Sequence, residues 1–244
     1  MKTWQIVAIA IVVIAVAAGA AWFALTAHAP PAPSPTQTTT TTPPTPVTYA
    51  VALTDPPSVP DGTTSLTLNY TGVAVHVEGV GWISSANASG SVDLMALQNM
   101  SVILANFNIM SNETVNAVRL YISNASIVVN GTEYPVLLPS GELTIPMTNA
   151  SRTPGALVDL QPHVALVYVG NQTMFVMAPA AVAVPANVTG SPGAKVQIPA
   201  QMREALDHFR ADLVITSASI ELNGNITTVS VTIKNEGSTP VYVL

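Results

Sequence analysis

The sequence predicts a mainly β protein, in which an antiparallel β-sandwich follows a single N-terminal transmembrane helix and one short α-helix precedes three C-terminal strands. Three patterns predict it: an uncharged apolar run at residues 6–25, alternating apolar and polar residues from Val47 onward, and one segment of helical periodicity after Pro199. The 20 prolines and 14 glycines in 244 residues argue against a helical bundle.

The apolar run predicts a membrane anchor comprising residues 1–27. As a helix with a rise of about 1.5 Å per residue, residues 6–25 would cover about 30 Å, the thickness of a bilayer core. The alternative is a cleaved signal peptide with a small-x-small site at residues 27–29. The run exceeds the usual signal length of about 7–15 residues, and Pro30 would follow the cut, so we favour the anchor. Lys2 then predicts a single-pass cell-membrane protein with a cytoplasmic N-terminus and the bulk of the chain outside.

Residues 28–48 predict a stalk, because they contain seven prolines and eight threonines. This composition favours an extended polyproline II conformation and prevents a packed core. At about 3.1 Å per residue the stalk would reach about 65 Å. The threonine run at residues 38–42 also suits O-glycosylation.

Asn-x-Ser/Thr sequons are far more frequent than the composition explains. Ten are present, whereas random placement of the asparagines would give about three. The ten are Asn69, Asn87, Asn99, Asn112, Asn124, Asn130, Asn149, Asn171, Asn187 and Asn225. Alternation places Asn69 on the face of its strand opposite the apolar face. Asn124, two residues after apolar Ile122, would lie on the apolar face of its strand unless a bulge intervenes. The excess predicts a glycosylated extracellular domain.

Residues 49–194 are predicted to form the β-sandwich domain. Many short alternating segments follow one another, with no helical pattern between them, which is typical of an antiparallel sandwich or barrel. Apolar residues occupy even-numbered positions before Gly72 and odd-numbered positions after it, which predicts a β-bulge at Gly72. The dipeptide Asn130-Gly131 between two strand patterns predicts a hairpin turn.

Residues 195–211 are predicted to form a connecting amphipathic helix and residues 212–244 a partial second β module. Met202, Ala205, Leu206 and Phe209 have the spacing of one helix face. The module has three strand patterns, at residues 213–222, 226–234 and 240–244, with Asn223-Gly224 as a hairpin turn. Three strands cannot close a sandwich of about seven. They could pair with the main domain, be completed by strands of another chain, or belong to a truncated reading frame. The open apolar terminal strand predicts self-association or an envelope partner.

Short elements from residue 53 onward resemble a known family. They are Leu53-Thr54-Asp55-Pro56-Pro57, Leu66-Thr67-Leu68, Val73 to Val77, Gly81-Trp82-Ile83, Val92-Asp93-Leu94-Met95-Ala96-Leu97, Val118-Arg119-Leu120 and Leu138-Pro139-Ser140-Gly141-Glu142-Leu143. In this order they resemble domain of unknown function 4382, which occurs in exported archaeal and bacterial proteins. The resemblance covers about residues 48–180. It implies a β-sandwich ectodomain and assigns no catalytic residues.

Composition and motifs exclude several kinds of chemistry. The net charge of -6, with only seven Lys and Arg, gives no footprint for nucleic acid. The absence of cysteine excludes disulfides, thiolate metal sites and a cysteine nucleophile. No nucleotide-binding or hydrolase motif is present, so we predict no enzyme activity, no cofactor and no metal.

Individual residues have simple structural interpretations. A metal site of Asp55, Asp61 or Asp93 with His76 is conceivable, but the spacing fits no ligand motif, and Asp55 and Asp61 suit turns. His76 is expected to point outward from a strand. Asp93 and Asp159 are expected to accept backbone hydrogen bonds at strand ends. Trp82 could stack on a carbohydrate, but packing in the core is the prediction.

These observations favour a membrane-anchored, glycosylated surface protein of structural or adhesive type, which contacts the bilayer through residues 6–25. The alternative is a displayed module that binds a sugar or a peptide in a concave pocket. An extracellular hydrolase comes third, because it needs an acid–base pair that the sequence does not reveal.

Overall fold

A computed structural model describes residues 43–55, 58–86, 88–138, 140–150, 152, 154–169, 172–208, 213–223 and 226–237. The predicted anchor and third C-terminal strand, and the stalk up to residue 42, lie outside the described residues. No helix in the described part is both long and apolar enough to cross a membrane. The chain divides into two compact units, Met1–Pro43 and Pro44–Leu244. The second is the unit described below.

Strands dominate the second unit, as predicted. They are β1 Pro46–Thr54, β2 Thr63–Val77, β3 Gly81–Ser84, β4 Gly90–Asp93, β5 Met100–Met110, β6 Val115–Val129, β7 Thr132–Leu137, β8 Glu142–Pro146, β9 Gly155–Val169, β10 Gln172–Pro185, β11 Lys195–Gln197, β12 Leu213–Asn223 and β13 Ile226–Asn235. A 3₁₀ helix, Leu94–Leu97, and an α-helix, α1 Ala200–Asp207, are also present.

The main sheet has eleven strands and is mixed, which corrects the expectation of a purely antiparallel arrangement. Its order is β11-β5-β1-β9-β10-β7-β6-β2-β3, with β4 also paired to β2 and β8 to β6. Most pairs are antiparallel, but β1 with β9 and β10 with β7 are parallel. Alternating hydrophobicity shows that a segment is a strand without showing which distant strand it joins or in which direction. The sequence pattern therefore could not reveal these two long-range pairings.

One large core is shared by strands from both halves of the sheet order. Tyr49, Val51 and Leu53 of β1 are almost fully buried and belong to the same cluster as Leu66 and Leu68 of β2. Alternate residues of each strand point to this core because side chains of a strand alternate between its two faces.

A second, smaller core lies on the opposite face of β1. Ala50 and Ala52 pack there with Leu157 of β9 and with residues of the segment after β10. Leu206 of α1 closes this layer, being only 3% exposed. A helix around Leu206 is therefore confirmed, but it spans only Ala200–Asp207, because Lys195–Gln197 of the predicted range form β11 on the main sheet. Of the predicted helix face, Leu206 and Met202 pack against this core and Ala205 is exposed, while Phe209 lies outside the described residues.

Two local features follow the sequence predictions. The register of β2 and β6 shifts between Tyr70 and Gly72, which confirms the bulge. It shifts again next to Asn69, whose partner is Asn124, while Tyr70 pairs with Ile122. This second bulge lets Ile122 face the core while Asn124 is exposed.

The Asn130-Gly131 hairpin is also confirmed. Val129 pairs directly with Thr132, and the two residues between them have positive φ angles of 50° and 79°. Positive φ at both loop residues defines a type I′ turn, whose twist matches that of the flanking strands.

The C-terminal strands β12 and β13 form a separate two-stranded sheet. Asn223 pairs with Ile226, so β12 and β13 pair as the predicted hairpin requires, but Asn223 ends β12 instead of belonging to the turn, and Gly224 lies outside the described residues. Leu213 at its base is buried, and β12 lies beside β9.

Candidate functional site

Trp82 lies on the outer face of the main sheet, so the prediction that it packs in the core was wrong. It is 39% exposed, whereas its neighbour Ile83 packs against the core. Strand alternation requires these two side chains to point to opposite faces. In the four-residue strand β3 the pattern leaves open which face is inner, and the larger side chain is the outer one.

Polar side chains surround the indole. The guanidinium carbon of Arg119 lies 4.0 Å from the centre of the Trp82 ring, in cation–π geometry. Arg119 Nε donates to Thr144 Oγ1 at 2.9 Å and lies 3.1 Å from Glu142 Oε1. The pairing of β6 with β8 sets this geometry, because it places Arg119 directly opposite Thr144.

His76 completes this group from β2. It pairs with Trp82 across the strands, and the two rings meet in a T-shaped contact with centroids 5.1 Å apart. His76 Nδ1 is 2.7 Å from Asn116 Oδ1. The outward orientation of His76 agrees with the sequence interpretation. We call the six residues the Trp82 patch: His76, Trp82, Asn116, Arg119, Glu142 and Thr144.

The sequence analysis missed Arg119 and Glu142. A signal for them was present, since only 8% of the residues are charged and Arg119 lies within a strand pattern. A cation there has to leave the core and find a partner on the outer face. Which partner it finds depends on the β6–β8 register, which the sequence pattern does not reveal.

A cleft of about 500 Å³ lies between β4 and the strands β5 and β11. We call it the seam cleft, because these strands come from opposite parts of the sheet order. Its polar lining includes Tyr70, Ser85, Asp93 and Lys195. Burial raises the pKa of the Tyr70 phenol, which strengthens the preference for the neutral form that a phenol already has at physiological pH.

Asp93 has a clear local role at the edge of this cleft. Its Oδ1 accepts hydrogen bonds from the backbone N–H of Leu66 at 3.2 Å and of Met95 at 3.1 Å. It therefore caps the 3₁₀ helix and fixes that helix to β2, in agreement with the backbone-acceptor interpretation.

A row of buried polar side chains runs along β9. Asp159, Gln161 and His163 alternate on one face and are each less than 10% exposed. Gln161 Nε2 donates to Asp159 Oδ2 at 2.9 Å. Ser58 pairs with His163 through a parallel β-bridge, which continues the β1–β9 pairing beyond Thr54. Buried groups of this kind are retained where hydrogen bonds satisfy them, which indicates a structural role.

The four residues considered for a metal site lie in different settings. Asp55 is 2% exposed and Asp61 lies in an exposed turn. Asp93 caps the 3₁₀ helix, and His76 belongs to the Trp82 patch. Among the described residues, no group of three or more His, Asp and Glu side chains has an arrangement able to hold a metal ion.

The described sequons lie at the surface. Asn99, Asn112, Asn124, Asn130, Asn149 and Asn187 are exposed. Asn69 is half-buried, and its Nδ2 donates to Asn124 Oδ1 at 2.5 Å. Asn87, Asn171 and Asn225 lie outside the described residues. Glycan attachment at the ten positions stays a prediction.

Comparison with known proteins identifies the family without an activity. No curated protein and no solved structure matches the chain significantly. Residues 47–179, more than half of the chain and all of β1 to β9 except Pro46, match the family described as domain of unknown function (DUF4382). The resemblance seen in the sequence is thereby confirmed, and the chain belongs to the DUF4382 family.

Proposed function

We propose that this protein is a membrane-anchored, glycosylated surface protein of structural or adhesive type. In this proposal residues 6–25 anchor it in the cell membrane and residues 28–48 raise a β-sandwich ectodomain above the surface. Its C-terminal hairpin joins a second copy or an envelope partner. Asp93 and Asp159 have hydrogen-bonding roles within the fold, which supports a structural function for both carboxylates.

The observation that carries the proposal is the isolation of the C-terminal hairpin. Among the described strands, β12 and β13 pair only with each other. A two-stranded sheet alone is marginally stable in water, and its outer edges offer unpaired N–H and C=O groups. Val214 of β12 is 39% exposed, which adds apolar surface near such an edge. Addition of a strand from a neighbour would stabilise this sheet.

The test is the solution mass of residues 44–244, measured by light scattering across a concentration series. We expect a dimer or polymer that dissociates on dilution and is lost when residues 240–244 are deleted. Ser230→Lys with Thr232→Lys should also abolish it, because charges on an exposed edge strand oppose pairing. Thr64→Lys with Asn108→Lys adds the same charge on exposed positions of the main sheet and serves as the control. A stable monomer at high concentration would rule out this mode of attachment.

A second function, display of a ligand-binding domain, is favoured by the seam cleft. Its volume of about 500 Å³ is within the range of small-molecule sites, and its lining is about equally polar and apolar, with hydroxyl, carboxylate and ammonium groups available to a ligand. Ala96 lines the cleft and is itself exposed. Ala96→Trp should therefore fill the cleft and abolish the thermal stabilisation given by any sugar or peptide that binds there. Unchanged stabilisation in this variant would exclude the cleft.

A further inference from the structure

We propose that the Trp82 patch binds a neutral saccharide chain. The inference rests on the second function above, display for ligand binding, and does not depend on self-association. It assigns that function to an outer-face site separate from the seam cleft, since the two share no residue.

The indole provides a surface suited to a sugar ring. Aromatic faces carry partial negative charge, which attracts the polarised C–H groups on the apolar face of a pyranose. Arg119 covers one side of the indole at 4.0 Å, and His76 meets it in a T-shaped contact. These contacts hold the ring in one orientation and leave 39% of the residue exposed. A fixed, partly exposed ring loses little entropy on binding.

The remaining groups provide hydrogen bonds for hydroxyls. The Glu142 side chain is 46% exposed and offers acceptor oxygens next to Arg119, the residue that stacks on the indole. Thr144 and Asn116 add a hydroxyl and an amide within the same face. Aromatic stacking combined with a few oriented polar groups is the general composition of a specific small-ligand site.

Charge favours a neutral ligand over an acidic one. The Arg119 guanidinium already lies 3.1 Å from the Glu142 carboxylate, so the patch has no free excess of positive charge. The chain as a whole carries a net charge of -6, which repels polyanions. The patch also lies at β3, the last strand in the sheet order, so a long chain can extend past the sheet edge.

The test uses the full chain in a detergent without sugar head groups, after enzymatic removal of any glycans. The probes are mannan, dextran and xylan, with alginate as the acidic comparison. Trp4→Phe with Trp22→Phe leaves Trp82 as the only tryptophan. We expect at least one neutral polysaccharide to shift its fluorescence in a saturable manner. The binding of the Trp82→Ala variant to the same polysaccharide is measured by affinity electrophoresis and should be weaker by about tenfold or more.

Tyr168→Ala is the matched control, because Tyr168 is an aromatic residue of β9 that is 71% exposed and lies outside the patch. The affinity of the Tyr168→Ala variant for the polysaccharide should differ less than twofold from that of the unsubstituted chain. Trp82→Phe keeps an aromatic ring and Glu142→Gln keeps the side-chain size, so both should fold and give intermediate losses, which covers the case that Trp82→Ala does not fold. No binding of any neutral polysaccharide, binding of alginate alone, or equal losses in the Trp82 and Tyr168 variants would overturn the proposal. Light scattering on the same variants reports self-association separately, so its failure is distinguishable from failure of saccharide binding.

Discussion

Tyr49 should make the fold labile in alkali, and Tyr49→Phe should remove that weakness. Tyr49 is 1% exposed, and its buried hydroxyl has no hydrogen-bond partner among the described residues. Desolvation raises the pKa of the phenol well above its usual value of 10.0. The folded state therefore holds this proton more tightly than the unfolded state does.

The sign and size of the effect follow from this difference. The Tyr49 contribution is fully present below pH 10 and is lost as the pH rises through the folded pKa, because the unfolded chain ionises first. The free energy of unfolding should fall by about 1.4 kcal/mol at pH 11 from this residue alone. Near neutral pH the phenylalanine removes an unsatisfied buried hydroxyl, whose burial costs about 1–3 kcal/mol. We therefore expect Tyr49→Phe to be more stable at pH 7 and the difference to widen at pH 11.

Urea unfolding of residues 44–244 at pH 7 and pH 11 measures both effects. Tyr70→Phe tests the smaller contribution of the other phenol whose pKa burial raises. Tyr168→Phe changes a residue that is 71% exposed and should leave the urea midpoint unchanged at both pH values. The reasoning fails if Tyr49→Phe lowers stability at pH 7, or if its pH dependence equals that of the unmodified chain.

Two further substitutions test packing and the sequon arrangement. Gly155→Ala should cost about 1–3 kcal/mol in urea unfolding, because its Cβ would lie 2.5 Å from the Ala50 carbonyl oxygen, a backbone atom that cannot swing aside. Gly79→Ala meets nothing within 4 Å and should cost only the strain of its positive φ, about 1 kcal/mol; equal losses would contradict the clash. Asn69 and Asn124 pair across the strands and are joined by a side-chain hydrogen bond, so glycans there should exclude each other. Asn69→Gln should raise the glycan occupancy of Asn124 in peptide mapping, and unchanged occupancy would count against the exclusion.

Local chemistry was predictable from the sequence, and long-range pairing was not. The Asn130-Gly131 turn and the bulge at Gly72 depend on residues that accept unusual backbone angles or break the apolar alternation. Both features can therefore be predicted from residues that are adjacent in the sequence. The parallel joining of β1 to β9 brings together segments about a hundred residues apart, and nothing local encodes it. Trp82 was misplaced for a related reason. Alternation divides β3 into two faces, and only the complete sheet shows which face is inner.

The two halves of the outer face have different roles in this chain. Around β1 the outer face carries the small residues Ala50 and Ala52, and the segment after β10 covers it together with Leu206 of α1. That covering layer lies beyond residue 179, where the family match ends. Burial of this second core means that residues beyond the matched region contribute to the stability of the fold. Around β2, β3, β6 and β8 the outer face carries the Trp82 patch, which lies wholly within the match. Trp82 does not fill a core, so the saccharide contact proposed for it can be removed by substitution without opening a cavity in the fold.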